Sequence, residues 1–301
     1  MKRILLFGAN GQVGWELQRA LAPLGMLISC DRAMADLNDI KAVDNLIAKI
    51  RPQFIVNAAA YTAVDKAESD EAGARRINSE AVQAMAVAAA KSNAWLVHYS
   101  TDYVFSGDGN SPYAETDVTG PRNIYGRTKL DGEEAIRASG CRHLIFRTSW
   151  VYAARGNNFA KTILRLAGER TELKVIADQV GAPTSAELIA DITALVLARL
   201  SQESQLNDKA SGTYHLVAGG ETSWYGFAQF IVKQALQLGV ALTCPADQVL
   251  PISTAEYPLP AHRPANSRLS TRKLQSTFGV ALPEWQHHAQ RLIHELAGAI
   301  Q

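Results

Sequence analysis

Apolar positions fall along this chain in short unbroken runs separated by longer stretches of helical period. Ile4 to Phe7, Met26 to Cys30, Phe54 to Ala60, Trp95 to Ser100 and His143 to Arg147 are the runs. Continuous rather than alternating runs predict strands covered on both faces, as in a parallel sheet. Between them, Trp15 to Leu24, Ile40 to Ile50 and Val64 to Ser92 carry helical spacing. In the last of these, Ala67, Ala74, Ile77, Ala81, Val82, Met85 and Ala88 lie near one side, with charges on the other. Arg51-Pro52 stops the second helix. Strands alternating with helices predict an α/β fold with a doubly wound parallel sheet. Further on, helices are expected over 158–170, 186–200, 224–238 and 283–300, strands over 173–176 and 214–217, and a polar surface loop over 201–211.

The junction of the first strand and helix carries candidate chemistry. Gly8-Ala9-Asn10-Gly11-Gln12-Val13-Gly14 forms a G-x-x-G-x-x-G turn rather than the commoner G-x-G-x-x-G. A tight turn between a strand and a helix N-terminus favours an anion such as a dinucleotide pyrophosphate. Gly8 permits the turn, Gly11 lets the backbone approach the ligand, and Gly14 lets the helix pack closely. The second strand ends at Asp31, where an acid suits a ribose hydroxyl; a turn role is the alternative. Arg32 follows and suits a 2′-phosphate, so mixed use of NADH and NADPH is expected. Small residues after the third strand leave room for a ligand or for a packed helix. Residues 1–150 are expected to form the Rossmann-type dinucleotide core, and 151–301 mainly a smaller C-terminal substrate-binding lobe interleaved with it.

The stretch from His98 to Lys129 supplies the reacting groups. The fourth strand ends on Ser100, Thr101 and Asp102, and after a Gly/Pro/Asn-rich loop comes Tyr125-x3-Lys129, the only such spacing in the chain. If Asn123 caps a helix, Tyr125 and Lys129 share one face, a turn apart. An ammonium nearby lowers a phenol's pKa from about 10. The phenol then serves as general acid to a carbonyl oxygen while a hydride reaches the carbon. Thr101 can hold the same oxygen as its charge develops.

Composition narrows the classes. The 301 residues carry a formal charge of +1, so the net balance implies no nucleic-acid or membrane partner. Three scattered cysteines show no metal or redox spacing and suggest a reducing compartment. The N-terminal apolar run is too short for a signal peptide, and no run is long enough to span a bilayer. A cytoplasmic protein is the expectation. Seven histidines form no metal-binding spacing, and the adjacent His287-His288 would point apart on a helix.

The three glycines, Tyr99-Ser100-Thr101-Asp102 and Tyr125-x3-Lys129 together resemble the extended short-chain dehydrogenase/reductases. Ser100 to Gly107, Phe146 to Tyr152, Gly156 to Phe159, Asp178-Gln179-x-Gly181-x-Pro183-Thr184 and Arg263-Pro264-x-Asn266-Ser267-x-Leu269 narrow the likeness to the dTDP-4-dehydrorhamnose reductase family. That resemblance implies reduction of the 4-keto group of dTDP-4-dehydro-L-rhamnose to dTDP-L-rhamnose, activated rhamnose for surface polysaccharide. It implies a catalytic set of Thr101, Tyr125 and Lys129. Cofactor contacts would be Asn10, Gly11, Gln12, Val13, Asp31, Asp36, Leu37, Ala59, Ala60, Tyr61 and Tyr99. Thr62, Val64, Thr101, Asp102, Tyr103 and Trp150 would meet the substrate; the indole of Trp150, just past a strand's carboxyl end, suits a cover over the sugar ring, with core filling as the alternative. Glu16, Glu187 and Glu295 match positions that bind a structural Mg²⁺ in a homodimer of some members; ordinary exposed helix glutamates are the alternative. Arg263 and Arg268 suit a diphosphate or surface salt bridges. Two other readings remain open: a reductase or epimerase-reductase on another nucleotide sugar, and a non-catalytic regulatory subunit of the same fold.

Overall fold

The computed structural model describes residues 2–202 and 209–298. Its centre is a six-stranded parallel sheet. The strands are β1 (Arg3–Phe7), β2 (Met26–Cys30), β3 (Phe54–Asn57), β4 (Trp95–Thr101), β5 (Arg142–Thr148) and β6 (Gly212–His215), in the order β6-β5-β4-β3-β1-β2. Every neighbouring pair is parallel. The helices with which they alternate are α1 (Gln12–Leu21), α2 (Ile40–Ile50), α3 (Ala81–Ser92) and α4 (Ile124–Ala138); α5 (Phe159–Glu169), α6 (Ala186–Gln202), α7 (Trp224–Gln237) and α8 (Trp285–Gly298) follow.

The unbroken apolar runs have a direct cause. Ile4, Leu6, Val56, Val97 and Phe146 face one hydrophobic cluster, shared with α1 and α6. Their neighbours Leu5, Phe7, Ile55, Leu96 and Ile145 face a second, shared with α2 and α3. Side chains alternate across a strand, so a sheet covered on both faces needs apolar residues at nearly every position.

The expected helix over Val64–Ser92 is interrupted. Val64–Ala67 makes one short turn, and Asp70 then caps a new helix, Glu71–Arg75, by accepting from the Gly73 amide at 3.1 Å. A π-helical turn, Arg76–Glu80, precedes α3. It turns Asn78 inward, where Nδ2 donates to the Tyr61 carbonyl and to the Thr128 hydroxyl of α4. Such turns re-aim one side chain and recur at functional sites; here it ties α4 to the loop after β3. Most of the expected loop over 201–211 lies outside the described residues.

The later part of the chain contributes β6 to the sheet and builds small two-stranded pairings of its own. Leu173–Ile176 pairs with Val249–Ile252, and Val180–Gly181 with Thr222–Ser223. Val151–Tyr152 pairs with Thr184–Ser185 just beyond the end of β5. No helix among the described residues is long and apolar enough to cross a membrane.

Candidate active site

The sheet reverses its winding between β1 and β3, and open α/β sheets bind ligands at that point, outside the carboxyl ends of the strands. Gly8 stands there with φ of +80°. A Cβ on it would sit 2.6 Å from the Ala59 nitrogen, and one on Gly14 would sit 2.0 Å from the Gly8 carbonyl oxygen. Glycine is therefore required at both ends of the turn by contact with backbone, not by flexibility. Gly11 caps α1 without a side-chain bond, so the helix's first amides stay available to an anion.

A cavity of about 650 Å³ runs from this turn to the far end of β4. Gly8, Asn10, Gly11, Gln12, Val13, Asp31 and Arg32 line one end, with Ala59 and Ala60 beside them. Thr62, Val64, Thr101, Asp102, Tyr103, Tyr125, Lys129 and Trp150 line the other. The carboxylate of Asp31 accepts from Asn10 Nδ2 at 3.4 Å and also closes a turn by accepting from the Ala33 and Met34 amides. The turn role is thus present in a residue that also lines the cavity. Arg32 leans on Asp36 at 3.4 Å and is exposed. Replacing Asp31 with alanine is expected to raise the ratio of kcat/KM for NADPH over NADH by about fivefold, by removing a negative charge that a 2′-phosphate would meet. Competition kinetics check this, and an unchanged ratio removes Asp31 from the ribose.

Four expected cofactor residues do not line the cavity. Gly14 acts through helix packing. Leu37 is buried in the core beside α2. Asp36 is turned to the Asn38 amide and side chain. The Tyr61 hydroxyl donates to Asp70 at 3.0 Å. Tyr99 lines the cavity, but its hydroxyl meets Thr193 at 2.9 Å in the core. Its carbonyl accepts from Lys129 at 2.6 Å. Arg263 and Arg268 take protein partners: Arg263 pairs with Asp65 at 2.6 Å and donates to the Tyr103 hydroxyl, while Arg268 holds Asn266 and faces Glu221.

Asn123 caps α4 as expected, its side chain accepting from the Gly126 amide at 2.7 Å. Tyr125 and Lys129 consequently rise on one face toward the end of β4. The hydroxyl of Thr101 donates to Asp102 at 3.0 Å and accepts from the Tyr103 amide. The Tyr103 ring packs edge-on against Tyr125, with centroids 5.6 Å apart. Burial pushes the Tyr125 phenol above its ordinary range; the neighbouring Thr101 hydroxyl acts against this, and the Asp102 charge adds to it. Burial raises the Asp102 carboxyl to about 6, with the hydroxyls of Ser267 and Thr101 acting against it. Lys129 is 1 % exposed. Its Nζ donates to the Tyr99 carbonyl at 2.6 Å and lies 3.1 Å from His98 Nε2. Burial brings it down to about 8, against the Glu133 charge, which raises it. The expected depression of the phenol by Lys129 is thus not expressed here, because the amine is turned to His98 and the strand.

Trp150 follows β5 with φ of +50°, a backbone that costs a bulky residue energy and marks functional positions. Its indole stacks on Trp224 at 3.6 Å, and the missing side chain of Gly181 makes room for it. Several wall residues were not picked out as contacts: Ala58, Ser100, Thr148, Ser149, Val151 and Gly156. Gly156 comes from the loop before α5, which Asn158 fastens to Gln12 at 2.9 Å. Only proximity in space links that loop to the glycine turn.

Glu16, Glu187 and Glu295 do come together, at a separate cavity of about 220 Å³ shared with Tyr152, His288 and Arg291. As they stand they do not form a ligand set. Arg291 grips both oxygens of Glu187, at 2.8 and 3.2 Å, and Arg19 leans on Glu16 at 3.5 Å. Among the described residues no group of three or more His, Cys, Asp or Glu side chains could hold a metal ion.

A parallel sheet with a glycine turn at its switch point, and a Thr/Tyr/Lys set facing that turn across one cavity, defines a dinucleotide-dependent reductase of the extended short-chain dehydrogenase/reductase type. Comparison with known proteins narrows it. The family model described as "RmlD substrate binding domain" matches residues 1–297. The chain is 52% identical over 297 residues to the dTDP-4-dehydrorhamnose reductase of Shigella flexneri, covering 97% of each. It is similar to the crystal structure of a dTDP-4-dehydrorhamnose reductase from Clostridium acetobutylicum, at 36% identity and a TM-score of 0.87, covering 98% of this chain and 99% of that one. The Bacillus anthracis dTDP-4-dehydrorhamnose reductase in complex with NADP matches at 36% identity and a TM-score of 0.87, over 98% and 100%. The chain belongs to the RmlD family of dTDP-4-dehydrorhamnose reductases.

Proposed function

We propose that this protein reduces the 4-keto group of dTDP-4-dehydro-L-rhamnose to the alcohol of dTDP-L-rhamnose, using NADPH or NADH. The observation that carries this reading is the arrangement of Thr101, Tyr125 and Lys129 at one end of a cavity whose other end is the glycine turn. The turn fits a dinucleotide: Gly8, Gly11 and the open N-terminus of α1 suit a pyrophosphate, and Asp31 with Asn10 suits the adenosine ribose. When bound, the reduced nicotinamide supplies the hydride.

The remaining roles belong to the chain. Thr101 holds the carbonyl oxygen, and Tyr125 delivers a proton to it as negative charge develops. The Tyr125 phenolate left behind regains its proton from solvent. Lys129, as an ammonium, stabilises that phenolate and orients the nicotinamide ribose. Trp150 offers a flat apolar face to the deoxysugar ring, and Thr62 and Val64 close the opposite side. The deciding assay follows NADPH oxidation with dTDP-4-dehydrorhamnose beside UDP- and GDP-linked 4-keto sugars. Preference for the dTDP sugar supports the reading. Equal turnover of another nucleotide sugar points to a related reductase, and cofactor binding without turnover of any sugar points to a regulatory subunit.

A homodimer joined through Mg²⁺ at Glu16, Glu187 and Glu295 is the finer reading of the second cavity. It requires Arg291 to release Glu187, and nothing in the hydride chemistry draws on it. EDTA is expected to leave saturated turnover within a factor of two. Sedimentation with and without chelator tests the bridge separately: an unchanged mass rules it out, and a loss of activity restored by Mg²⁺ would make the metal more than structural.

A further inference from the structure

Behind Lys129 lies a line of buried polar groups that the chemistry above does not use. Asn57 ends β3 and is 1 % exposed; His98 lies in β4 and is 0 % exposed. The Ala59 amide donates to Asn57 Oδ1 at 3.1 Å. Asn57 Nδ2 lies 3.2 Å from His98 Nδ1, and His98 Nε2 lies 3.1 Å from Lys129 Nζ. The first of these fixes the direction of the others. A backbone N–H can only donate, so the oxygen of Asn57 faces Ala59 and its NH₂ faces His98. His98 Nδ1 must then accept. A neutral imidazole carries one proton, so that proton is on Nε2 and points at Lys129. The amine receives it only through a lone pair, which an ammonium lacks.

We infer that Asn57 and His98 are positioning residues whose one-way hydrogen-bond chain, anchored on the Ala59 amide, makes Lys129 an acceptor and so biases it toward the uncharged amine before turnover. Charging Lys129 sets two donors against each other at His98, or forces the Asn57 amide to turn and present its NH₂ to the Ala59 N–H. Either costs a buried hydrogen bond. Other groups facing Lys129 are few. On its own helix, Glu133 favours the charge, but Arg147 of β5 and Arg137 hold that carboxylate. Tyr125 is one turn away on the same face. From β4, the Tyr99 phenol points into the core and only its carbonyl meets the amine. Asp102, past the strand end, is engaged by Thr101. Burial alone disfavours a charge on His98, which keeps the ring neutral beside an uncharged Lys129. Lys129 would thus take up a proton from solvent as the nicotinamide ribose and the Tyr125 phenolate appear.

This deepens the assignment of Lys129 as Tyr125's partner, but its first test needs no turnover. The whole protein, labelled with ¹⁵N-histidine, reports the tautomer of each ring by NMR, and His98→Gln identifies the His98 signals by their loss. The Nε2–H tautomer at pH 7 is expected, and the Nδ1–H tautomer overturns the chain. Asn57→Asp is nearly isosteric and reverses the direction, since a carboxylate accepts from both Ala59 and His98. His98 should switch to Nδ1–H, and Lys129 should hold its proton to higher pH. The high-pH limb of kcat/KM should then rise by about one pH unit. A folded Asn57→Asp protein whose tautomer switches while the limb stays put overturns the link to Lys129. If that variant does not fold, the wild-type spectrum decides alone.

Discussion

Replacing Tyr125 with phenylalanine is expected to lower turnover about 10²–10⁴-fold, the range removed with a general acid, while NADPH still binds. The change deletes one oxygen and leaves the ring against Tyr103, so the cavity keeps its shape. The glycine turn lies at the other end of that cavity and is untouched. Burial holds the phenol high, so at neutral pH the group is protonated and ready to donate. The depression that a proton shuttle needs must come from Lys129 once it is charged. Stopped-flow cofactor titration beside steady-state kinetics checks both halves. Turnover within threefold of wild type would remove Tyr125 from its role; lost cofactor binding would place the hydroxyl in the binding surface instead.

The second large effect is on stability. Glu133 of α4 and Arg147 of β5 are both buried, and Arg147 donates to the two carboxylate oxygens at 2.9 and 2.7 Å. Ser100 adds a third bond at 2.6 Å, from the strand that carries Thr101. Arg147→Met leaves a buried carboxylate with only Ser100 and the more exposed Arg137 as partners and is expected to cost about 3 kcal/mol in urea unfolding at pH 7. Adding Glu133→Leu should recover much of that loss, because removing both charges also removes their desolvation. The wild-type pair carries a pH dependence of definite sign. Burial alone would raise the Glu133 pKa, but hydrogen bonds and charge from Arg147, with Ser100 and Arg137, win and lower it. Its contribution is therefore complete above the unfolded glutamate pKa of about 4.3 and fades as pH falls through the depressed folded value. Wild type and the double variant should differ most in that acid range. Parallel loss of stability in the two proteins as pH falls from 7 to about 3, through the depressed folded range, would count against the pair as a stabilising unit.

The catalytic spacing was legible because it is local. Tyr125 and Lys129 share a helix whose cap, Asn123, is two residues before Tyr125, so one short stretch fixes their relative place. Gly8 and Gly14 were legible because each meets backbone, and no other residue fits. Asp36, Leu37 and Tyr61 turn their side chains away from the cavity; matched positions in a chain do not say which way a side chain turns. Asp70 competes for the Tyr61 hydroxyl, and the core claims Leu37. The interrupted helix over Val64–Ser92 was not legible from periodicity, since Asp70 and the π-helical turn act through bonds to Tyr61 and Thr128 that only folding creates.

The alternation of the first five strands with helices, the apolar faces of those strands and the Asn123 cap were determined by sequence alone, because they follow from neighbours within a turn or a strand. The partners of His98, those of Arg263 and the pairing of Glu187 with Arg291 were decided only in the tertiary structure. A buried polar group takes whichever partner the packing of distant segments brings within reach. Asn57 and Lys129, or Glu187 and Arg291, are far apart along the chain, and no periodicity encodes their meeting.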